Sequence, residues 1–158
     1  MAFLIKNARQ AQQSPVLDQW IRVHRAGASL PATTAGAIFT VRGGRVLIKL
    51  LIGEVTTVIQ SQACNLKVTA NPTVGTSVDL SSNLDINADE VGCLYLSELD
   101  GTALVGADAG AAMSGPGTPA AVVNVGTIDI ETAATNTGAI KWTIFYLPLD
   151  PGANVIAA

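Results

Sequence analysis

The sequence predicts an all-β protein: a single β-sandwich or jelly-roll domain preceded by an extended or partly helical N-terminal arm. Two observations carry this prediction. Runs of alternating and β-branched residues dominate after residue 36, and turn residues separate these runs at short intervals. Many short strands joined by turns are typical of sandwiches and jelly rolls. At 158 residues the chain fits one domain with a workable core. We therefore divide it into an arm, 1–36, and a sandwich domain, 37–158.

The arm differs from the rest in composition. The stretch "SPVLDQWIRVHR" is compatible with a short helix over residues 15–24, with Ser14 as its N-cap and Pro15 in its first turn. No Glu or Gln stands at residue 17 to complete a capping box. The following "GASLPATTAG" is typical of an extended linker. An arm of this kind is suited to reaching over a neighbouring molecule.

The first strands of the domain follow from residue 37. "AIFTVR" and "RVLIKLLI" flank Gly43-Gly44, a pair that favours a two-residue hairpin because both positions accept positive φ. We expect Gly53 to end this run, and "EVTTVIQ" and "NLKVTA" to form two further strands. Asn71-Pro72 and Gly75 predict a turn before "TSVDLSSNLDI".

Later strands are separated by similar signals. "GCLYLSE" is strand-like and Asp100-Gly101 predicts a turn. Residues 106–120 are small and contain two prolines, so we expect a surface loop. "AVVNVGTIDIE" supplies one or two strands. The clearest strand is "GAIKWTIFYLPLD", in which large apolar residues alternate; Pro148 either ends it or places it at a sheet edge.

Composition indicates a surface that is covered by a partner. Charged residues make up 13% of the chain and hydrophobic residues 49%, with a mean hydropathy of +0.40 and only 4% aromatics. About a quarter of an ordinary soluble domain is charged. Oligomerisation or assembly into a larger body would cover the small apolar surface. A monomer with a Thr, Ser and Ala surface is the alternative.

Charges are divided along the chain. Eight of the nine basic residues lie at or before Lys67, and ten of the twelve acidic residues follow it. Such asymmetry fits a nucleic-acid arm, a docking surface for an acidic partner, head-to-tail contacts between copies, or two halves that interleave and neutralise each other locally. Because the basic residues are scattered singly and aromatics are few, we expect no nucleic-acid partner.

The stretch "LDINADEVGCLY" resembles the opening of a calcium loop, since Asp85, Asn87 and Asp89 alternate. The sixth position of that loop needs Gly and the twelfth Glu, whereas the chain has Glu90 and Leu96 there. We interpret the stretch as a strand that ends at residue 86, an Asx turn, and a new strand from residue 92. An irregular calcium site remains the alternative.

Signals for catalysis are few. His24 is the only histidine, and no nucleophile elbow, P-loop or dinucleotide fingerprint occurs. Carboxylates that could cleave a glycoside are Asp85, Asp89, Glu90 and Glu98, while the aromatic platforms that sugars need are limited to Trp20, Tyr95, Trp142 and Tyr146. We expect no enzyme, no catalytic residue, no bound metal and no cofactor.

The two cysteines and the apolar runs bear on location. Cys64 and Cys93 show no motif spacing, and we expect buried, reduced thiols unless the strands bring them together. The longest apolar run, "VLIKLLIG", is broken by Lys49, whereas a spanning helix needs ~20 apolar residues. The N-terminus has no apolar core for a secretory signal. We therefore expect synthesis in the cytoplasm and no membrane partner.

Residues 75–158 resemble the small decoration (cement) proteins of tailed bacteriophages. The resemblance rests on the V-D-L and L-D-I phrases, the segment 92–95, the Asp100-Gly101 turn, and a closing W-T-x-x-Y-x-P-L-D followed by Gly152-Ala153. It implies a homotrimeric β-sandwich or jelly roll that sits on the outer surface of the virion capsid and clamps the major capsid protein lattice. No active site is implied.

The scattered basic residues of the arm fit docking on an acidic shell. Each exposed ion pair contributes roughly 0–1 kcal/mol, and multivalency sums these terms. The residues we expect to contact the capsid are Lys6, Arg9, Arg22 and Arg25. The alternative functions are a carbohydrate- or receptor-binding jelly-roll module and a tail structural protein.

Overall fold

A computed structural model of the protein describes residues 20–97, 99, 105–107 and 120–158, the segment 105–107 through its backbone alone. The described chain is all-β, as the sequence predicts. Its twelve strands are β1 (Ile21–Ser29), β2 (Ala35–Arg42), β3 (Val46–Thr57), β4 (Asn65–Pro72), β5 (Val78–Asp79), β6 (Leu84–Asp85), β7 (Leu94–Ser97), β8 (Val105–Ala107), β9 (Ala121–Val123), β10 (Gly126–Thr132), β11 (Ala139–Pro148) and β12 (Asn154–Ala157).

The strands form two antiparallel sheets packed on one core. Sheet 1 has the order β1-β11-β3-β7-β8, with β9 also paired to β3. Sheet 2 has the order β12-β2-β10-β4-β5, with β6 also paired to β4. The pairs β1·β11, β2·β10, β3·β7 and β4·β5 are nested inside one another along the chain, and successive pairs fall in alternate sheets. This is the arrangement of a jelly roll, with β12 added at the edge of sheet 2.

Gly43-Gly44 does turn the chain sharply, with φ values of 73° and 153°, but the hairpin predicted there is wrong. The strands on either side, β2 and β3, lie in different sheets and do not pair. A Cβ on Gly43 would clash with the Gly152 carbonyl oxygen, so the turn also packs against the residues just before β12. Turn residues fix local backbone conformation, whereas the choice of neighbouring strand depends on the whole nested arrangement.

The prediction that Gly53 breaks a strand is wrong as well. Strand β3 runs without interruption from residue 46 to residue 57. Gly53 lies opposite Trp142 of β11, and a Cβ there would come within 2.8 Å of the indole Cζ3. The glycine therefore makes room for the largest side chain of the core, and that packing compensates for its poor strand propensity.

The strand predicted most clearly, β11, is confirmed. Its large apolar residues at 140, 142, 144 and 146 are all buried and alternate with half-buried ones. They form the centre of the core together with Ile38, Phe39, Ile48, Leu51, Leu66, Tyr95 and Ile128. The strand ends at Pro148 and lies between β1 and β3, so it is not an edge strand.

The described part of the predicted arm contains strand and no helix. Residues 15–19 of the predicted helix 15–24 lie outside the described residues, and residues 21–24 belong to β1. This strand pairs with β11 over most of its length, with a bulge between Arg25 and Ala28. It is therefore part of the sandwich, within the region 1–36 predicted as an arm. The Asp100-Gly101 turn and most of the loop predicted for 106–120 lie outside the described residues.

Side-chain hydrogen bonds complete sheet 2 where its strands are shortest. The segment predicted as one strand, "SVDLSSNLDI", forms the two-residue strands β5 and β6 instead. Between them, the buried Ser81 Oγ accepts the backbone N–H of Val68 at 2.9 Å. Cys64 and Cys93 are both buried and unbridged, which confirms the prediction of buried thiols.

Candidate functional site: two outer faces of the sandwich

The acidic stretch at 84–95 acts as a structural turn. Asp85 Oδ1 accepts the backbone N–H of Asn87 at 3.1 Å, which confirms the predicted Asx turn. The Tyr95 hydroxyl donates to Asp89 Oδ2 at 2.6 Å, and burial, followed by this hydrogen bond, raises the pKa of Tyr95. The flanking strands end at Asp85 and begin at Leu94, slightly inside the predicted limits. Among the described residues, no group of three or more potential metal ligands lies together.

The carboxylates considered for glycoside cleavage have different surroundings in the described chain. Asp89 is engaged by the Tyr95 hydroxyl, Asp85 by its own turn, and Glu98 lies outside the described residues. His24 is exposed, and its Nδ1 lies 3.1 Å from Thr143 Oγ1. The surface features that could form a functional site are the apolar and the charged outer faces of the two sheets.

The outer face of sheet 1 is apolar. Alternation places every second residue of β3, β7, β9 and β11 outward, and most of these positions carry large aliphatic or aromatic side chains. Most are half-buried by their neighbours. The residues are Leu47, Leu50, Ile52, Leu94, Leu96, Val122, Phe145 and Leu147. Monomeric soluble proteins rarely expose a contiguous apolar surface of this kind, so it indicates an interaction site.

A hollow lies in this face, where β1 begins. It has a volume of about 290 Å³ and is lined by Trp20, Lys49, Leu50 and Phe145. A register shift in the β3–β11 pairing between Phe145 and Tyr146 occurs at this point. The bulge changes the direction of the neighbouring side chains and leaves the depression between them.

Cations predominate around the hollow. The outward positions of sheet 1 hold three cations, Arg22, Lys49 and Lys141, and one carboxylate, Glu54, among the described residues. The Lys141 ammonium lies 2.8 Å from Glu54 Oε2. The described part of the face therefore carries a net charge of about +2.

The four predicted capsid contacts are in different situations. Lys6 and Arg9 lie outside the described residues. Arg22 is exposed on the outer face of sheet 1, opposite Phe145 in the register. Arg25 points to the other side of β1, where its Nε donates to the Ala158 carbonyl at 3.3 Å, and burial lowers its pKa. The structure therefore does not bring Arg22 and Arg25 to one surface.

The outer face of sheet 2 is polar. Lys67 Nζ lies 3.0 Å from Asp79 Oδ1 and 3.2 Å from Glu131 Oε2, and Thr69 Oγ1 also donates to Asp79. The hydrogen bond from Lys67 lowers the pKa of Asp79, and the bonds to both carboxylates raise the pKa of Lys67. The outward described positions hold two cations, Arg42 and Lys67, and four carboxylates, Asp79, Asp85, Asp129 and Glu131. This gives a net charge of about −2.

Asp129 is unusual on this face because it is 5% exposed. Its Oδ2 accepts the Asn71 side-chain amide at 3.3 Å, while its buried Oδ1 finds no partner among the described residues. A buried carboxylate oxygen without a donor is destabilising.

Exposed valines cluster at the end of the sandwich where β4 leads into β5 and β9 into β10. The side chains of Val74, Val78, Val122 and Val125 are 87%, 60%, 58% and 39% exposed. Beneath them is a second hollow of about 150 Å³, to which Val78 and Val122 contribute. Since Val122 also belongs to the outer face of sheet 1, the two apolar surfaces meet at this residue.

The charge division along the sequence is partly neutralised within the molecule. Every ion pair found in the described chain joins the basic first part, up to residue 67, to the second: Arg45–Asp150, Lys67–Asp79, Lys67–Glu131 and Glu54–Lys141. Sequence patterns did not reveal that the remaining charges separate by sheet, because outward direction depends on register. The nearly continuous apolar runs of β3 and β11 were the available signal that both sides of sheet 1 are apolar.

Comparison of the chain with protein-family models, with curated proteins and with solved structures finds no match. In the described part of the chain, no helix is long and apolar enough to cross a membrane.

Proposed function

We propose that the protein is a structural virion component: a homotrimeric decoration, or cement, protein that binds the major capsid protein on the outer surface of a bacteriophage capsid and stabilises the lattice. The observation that carries this proposal is the apolar outer face of sheet 1. A jelly roll whose outer face is as aliphatic as this one is suited to permanent contact with other protein surfaces. The resemblance of residues 75–158 to decoration proteins supports the same role.

The mechanism follows from linkage. A protein that binds the mature lattice and not the unassembled or contracted one stabilises the mature state by RT ln(1 + [L]/Kd), about 2.7 kcal/mol at a free concentration of 100 Kd. A trimer multiplies this effect because three weak contacts act together. Such a role requires surface complementarity and no reacting group.

Copy number tests the proposal most directly. In purified virions of the phage that encodes this chain, we expect a ratio to the major shell protein that is close to stoichiometric. A handful of copies per virion would place the protein in the tail instead. Absence from the virion would overturn the proposal.

Of the two described arginines predicted to contact the capsid, Arg22 gives the more specific test. We expect Arg22→Ala, combined with Lys6→Ala and Arg9→Ala, to weaken binding to capsids that lack the protein. Arg25→Ala would also remove the bond to the Ala158 carbonyl, so its effect is not specific to the contact. Arg42→Ala, an exposed arginine of sheet 2, is the matched control. Equal affinities for all variants would rule out these contacts.

A carbohydrate-binding module is the second candidate, and one observation favours it: Trp20 and Phe145 together line the hollow of sheet 1. Sugars also need several hydrogen-bonding groups, and Lys49 is the only charged side chain among the described lining residues. The lining therefore suits an aliphatic side chain better than a sugar. Binding on a glycan array that is lost in Trp20→Ala would reverse this preference.

A further inference from the structure

We propose that the loop carrying Val74 seats in the hollow of sheet 1 of a second copy of this chain, which gives a head-to-tail interface. The inference rests on the self-assembly part of the proposed function and specifies the two surfaces that meet. It does not depend on capsid binding.

The inserting side is an exposed apolar side chain on an anchored loop. Val74 is 87% exposed, the highest value among the large exposed apolar side chains of the described chain. The loop is held at both ends: the Thr73 N–H donates to the Val125 carbonyl at 2.8 Å, and Ser77 Oγ donates to Asn71 Oδ1 at 2.9 Å. Between these anchors, residues 73–77 carry no charge. A loop that is already ordered loses little conformational entropy on binding.

The receiving side is the hollow lined by Trp20, Lys49, Leu50 and Phe145. Its volume of about 290 Å³ is at the small end of ligand pockets, which range from ~300 to 1,000 Å³. A branched aliphatic side chain and its loop backbone are a better match to this space than a larger organic molecule. Burying Val74 there would remove apolar surface of both partners from water.

The loop cannot reach the hollow of its own molecule. The hollow opens on the outer face of sheet 1, which points away from sheet 2. Val74 connects β4 to β5, and both strands belong to sheet 2. The anchors at Thr73 and Ser77 fix the loop at the end of the sandwich. A Val74 loop that occupies the hollow must therefore come from another molecule.

Charge favours a second copy in head-to-tail orientation. The described outer face of sheet 1 carries three cations and one carboxylate, whereas that of sheet 2 carries two cations and four carboxylates. The Val74 loop adjoins sheet 2, since Ser77 bonds Asn71 and Asn71 bonds Asp129. Seating the loop on a neighbouring sheet 1 brings the acidic face towards the basic one. A face-to-face pair of sheets 1 would instead bring two cationic faces together.

An interface between two different patches has a geometric consequence. Each copy presents one loop and one hollow, so the contacts form a ring where the rotation between copies closes and an open filament where it does not. A closed trimer is one such ring, which is consistent with the homotrimer of the proposed function.

Sedimentation of the purified chain tests the interface. We expect Val74→Lys to weaken self-association at least ~10-fold, because it places a second ammonium beside Lys49 in an apolar hollow. Val58→Lys is the matched control: Val58 is 54% exposed and follows β3 at the opposite end of the sandwich. We expect its mass distribution to equal that of the wild type. Equal association of Val74→Lys and wild type, or a wild type that stays monomeric at about 100 µM, would overturn the inference.

Cross-linking by mixing is the second test. Chains with Val74→Cys and chains with Leu50→Cys are oxidised with diamide, separately and together. We expect disulfide-linked dimers only in the mixture, and a ladder ending at the closed ring for the double variant. Cys64 and Cys93 are buried and contribute little background. Circular dichroism verifies that each variant is folded.

In the control mixture, Val58→Cys replaces Val74→Cys. Equal cross-linking in both mixtures, or none in the Val74→Cys mixture, would count against the interface. Failure of the proposed function is distinguishable, since a chain that forms this ring and is absent from virions would retain the interface and lose the capsid role.

Discussion

The two outer faces of the sandwich differ in two respects: how far their polar groups are hydrogen-bonded, and how much apolar surface they leave exposed. On sheet 2, polar side chains of the outer face form ion pairs and hydrogen bonds with one another within a single molecule. These side chains are Lys67, Thr69, Asp79 and Glu131. On sheet 1, aliphatic side chains and Phe145 remain half-exposed with nothing in the described chain to cover them. Both sheets pack against the shared core, but their outer faces differ: the face of sheet 2 is stabilised by hydrogen bonds and ion pairs, whereas the face of sheet 1 leaves apolar side chains half-exposed.

The largest effect is expected inside sheet 1. Trp142→Ala should reduce the free energy of unfolding by about 3–5 kcal/mol, because it opens a cavity above Gly53 in the centre of the core. Trp142→Phe should cost much less, since an aromatic ring remains and the buried indole Nε1, which has no acceptor in the described chain, is removed. Urea unfolding measures both. An equal reduction in the free energy of unfolding for the two variants would show that a remaining aromatic ring does not preserve the packing at this position.

A smaller effect is expected where sheet 2 depends on a side-chain hydrogen bond. Ser81→Ala leaves the buried N–H of Val68 without an acceptor and should cost about 1–3 kcal/mol. Ser82→Ala, next to it and exposed, is the control and should be neutral. If both variants unfold at the same urea concentration as the wild type, the hydrogen bond to Ser81 does not support the sheet.

The ion pair between Arg45 and Asp150 links the start of β3 to the turn before β12, and its contribution to the stability of the fold depends on pH. Hydrogen bonds from the Arg45 guanidinium, and then from its backbone N–H, lower the pKa of Asp150 to about 2 from an ordinary value of 3.8. The pair therefore stabilises the fold above pH 3.8 and loses this contribution as the pH falls towards 2. We expect Asp150→Asn to be less stable than the wild type at pH 7.

The difference in melting temperature between Asp150→Asn and wild type should narrow as the pH falls from about 4 to about 2. Arg45→Gln should show the same narrowing. A constant difference over this range would mean that the charge of Asp150 is not responsible.

The smallest effect concerns Asp129, whose buried Oδ1 has no hydrogen-bond donor in the described chain. Asp129→Asn keeps the shape of the side chain and removes a buried charge, so stability should change by less than about 0.5 kcal/mol or increase. Asp79→Asn on the same face disrupts the bonds to Lys67 and should reduce stability slightly. Thermal unfolding compares the two. A larger loss of thermal stability for Asp129→Asn than for Asp79→Asn would contradict the view that the buried Asp129 carboxylate is destabilising.

Features that depend on neighbouring residues could be predicted from the sequence alone. Alternation predicted the buried residues of β11, because the side-chain period of a strand is two. The Asx turn at Asp85 and the positive φ of Gly43 follow from local backbone chemistry, and both are present. The apolar composition predicts a partner surface without giving its position.

Tertiary structure decided what depends on distant residues. Gly43-Gly44 turns the chain between two sheets, because β2 finds its partners in β10 and β12. Gly53 continues a strand, because Trp142 lies across from it, 89 positions later in the chain. The hollow at Phe145 and the opposite charges of the two outer faces arise from pairing register, which a one-residue shift would reverse. Sequence patterns specify the conformation of a strand, and the cooperative packing of all strands selects its neighbours and its outward face.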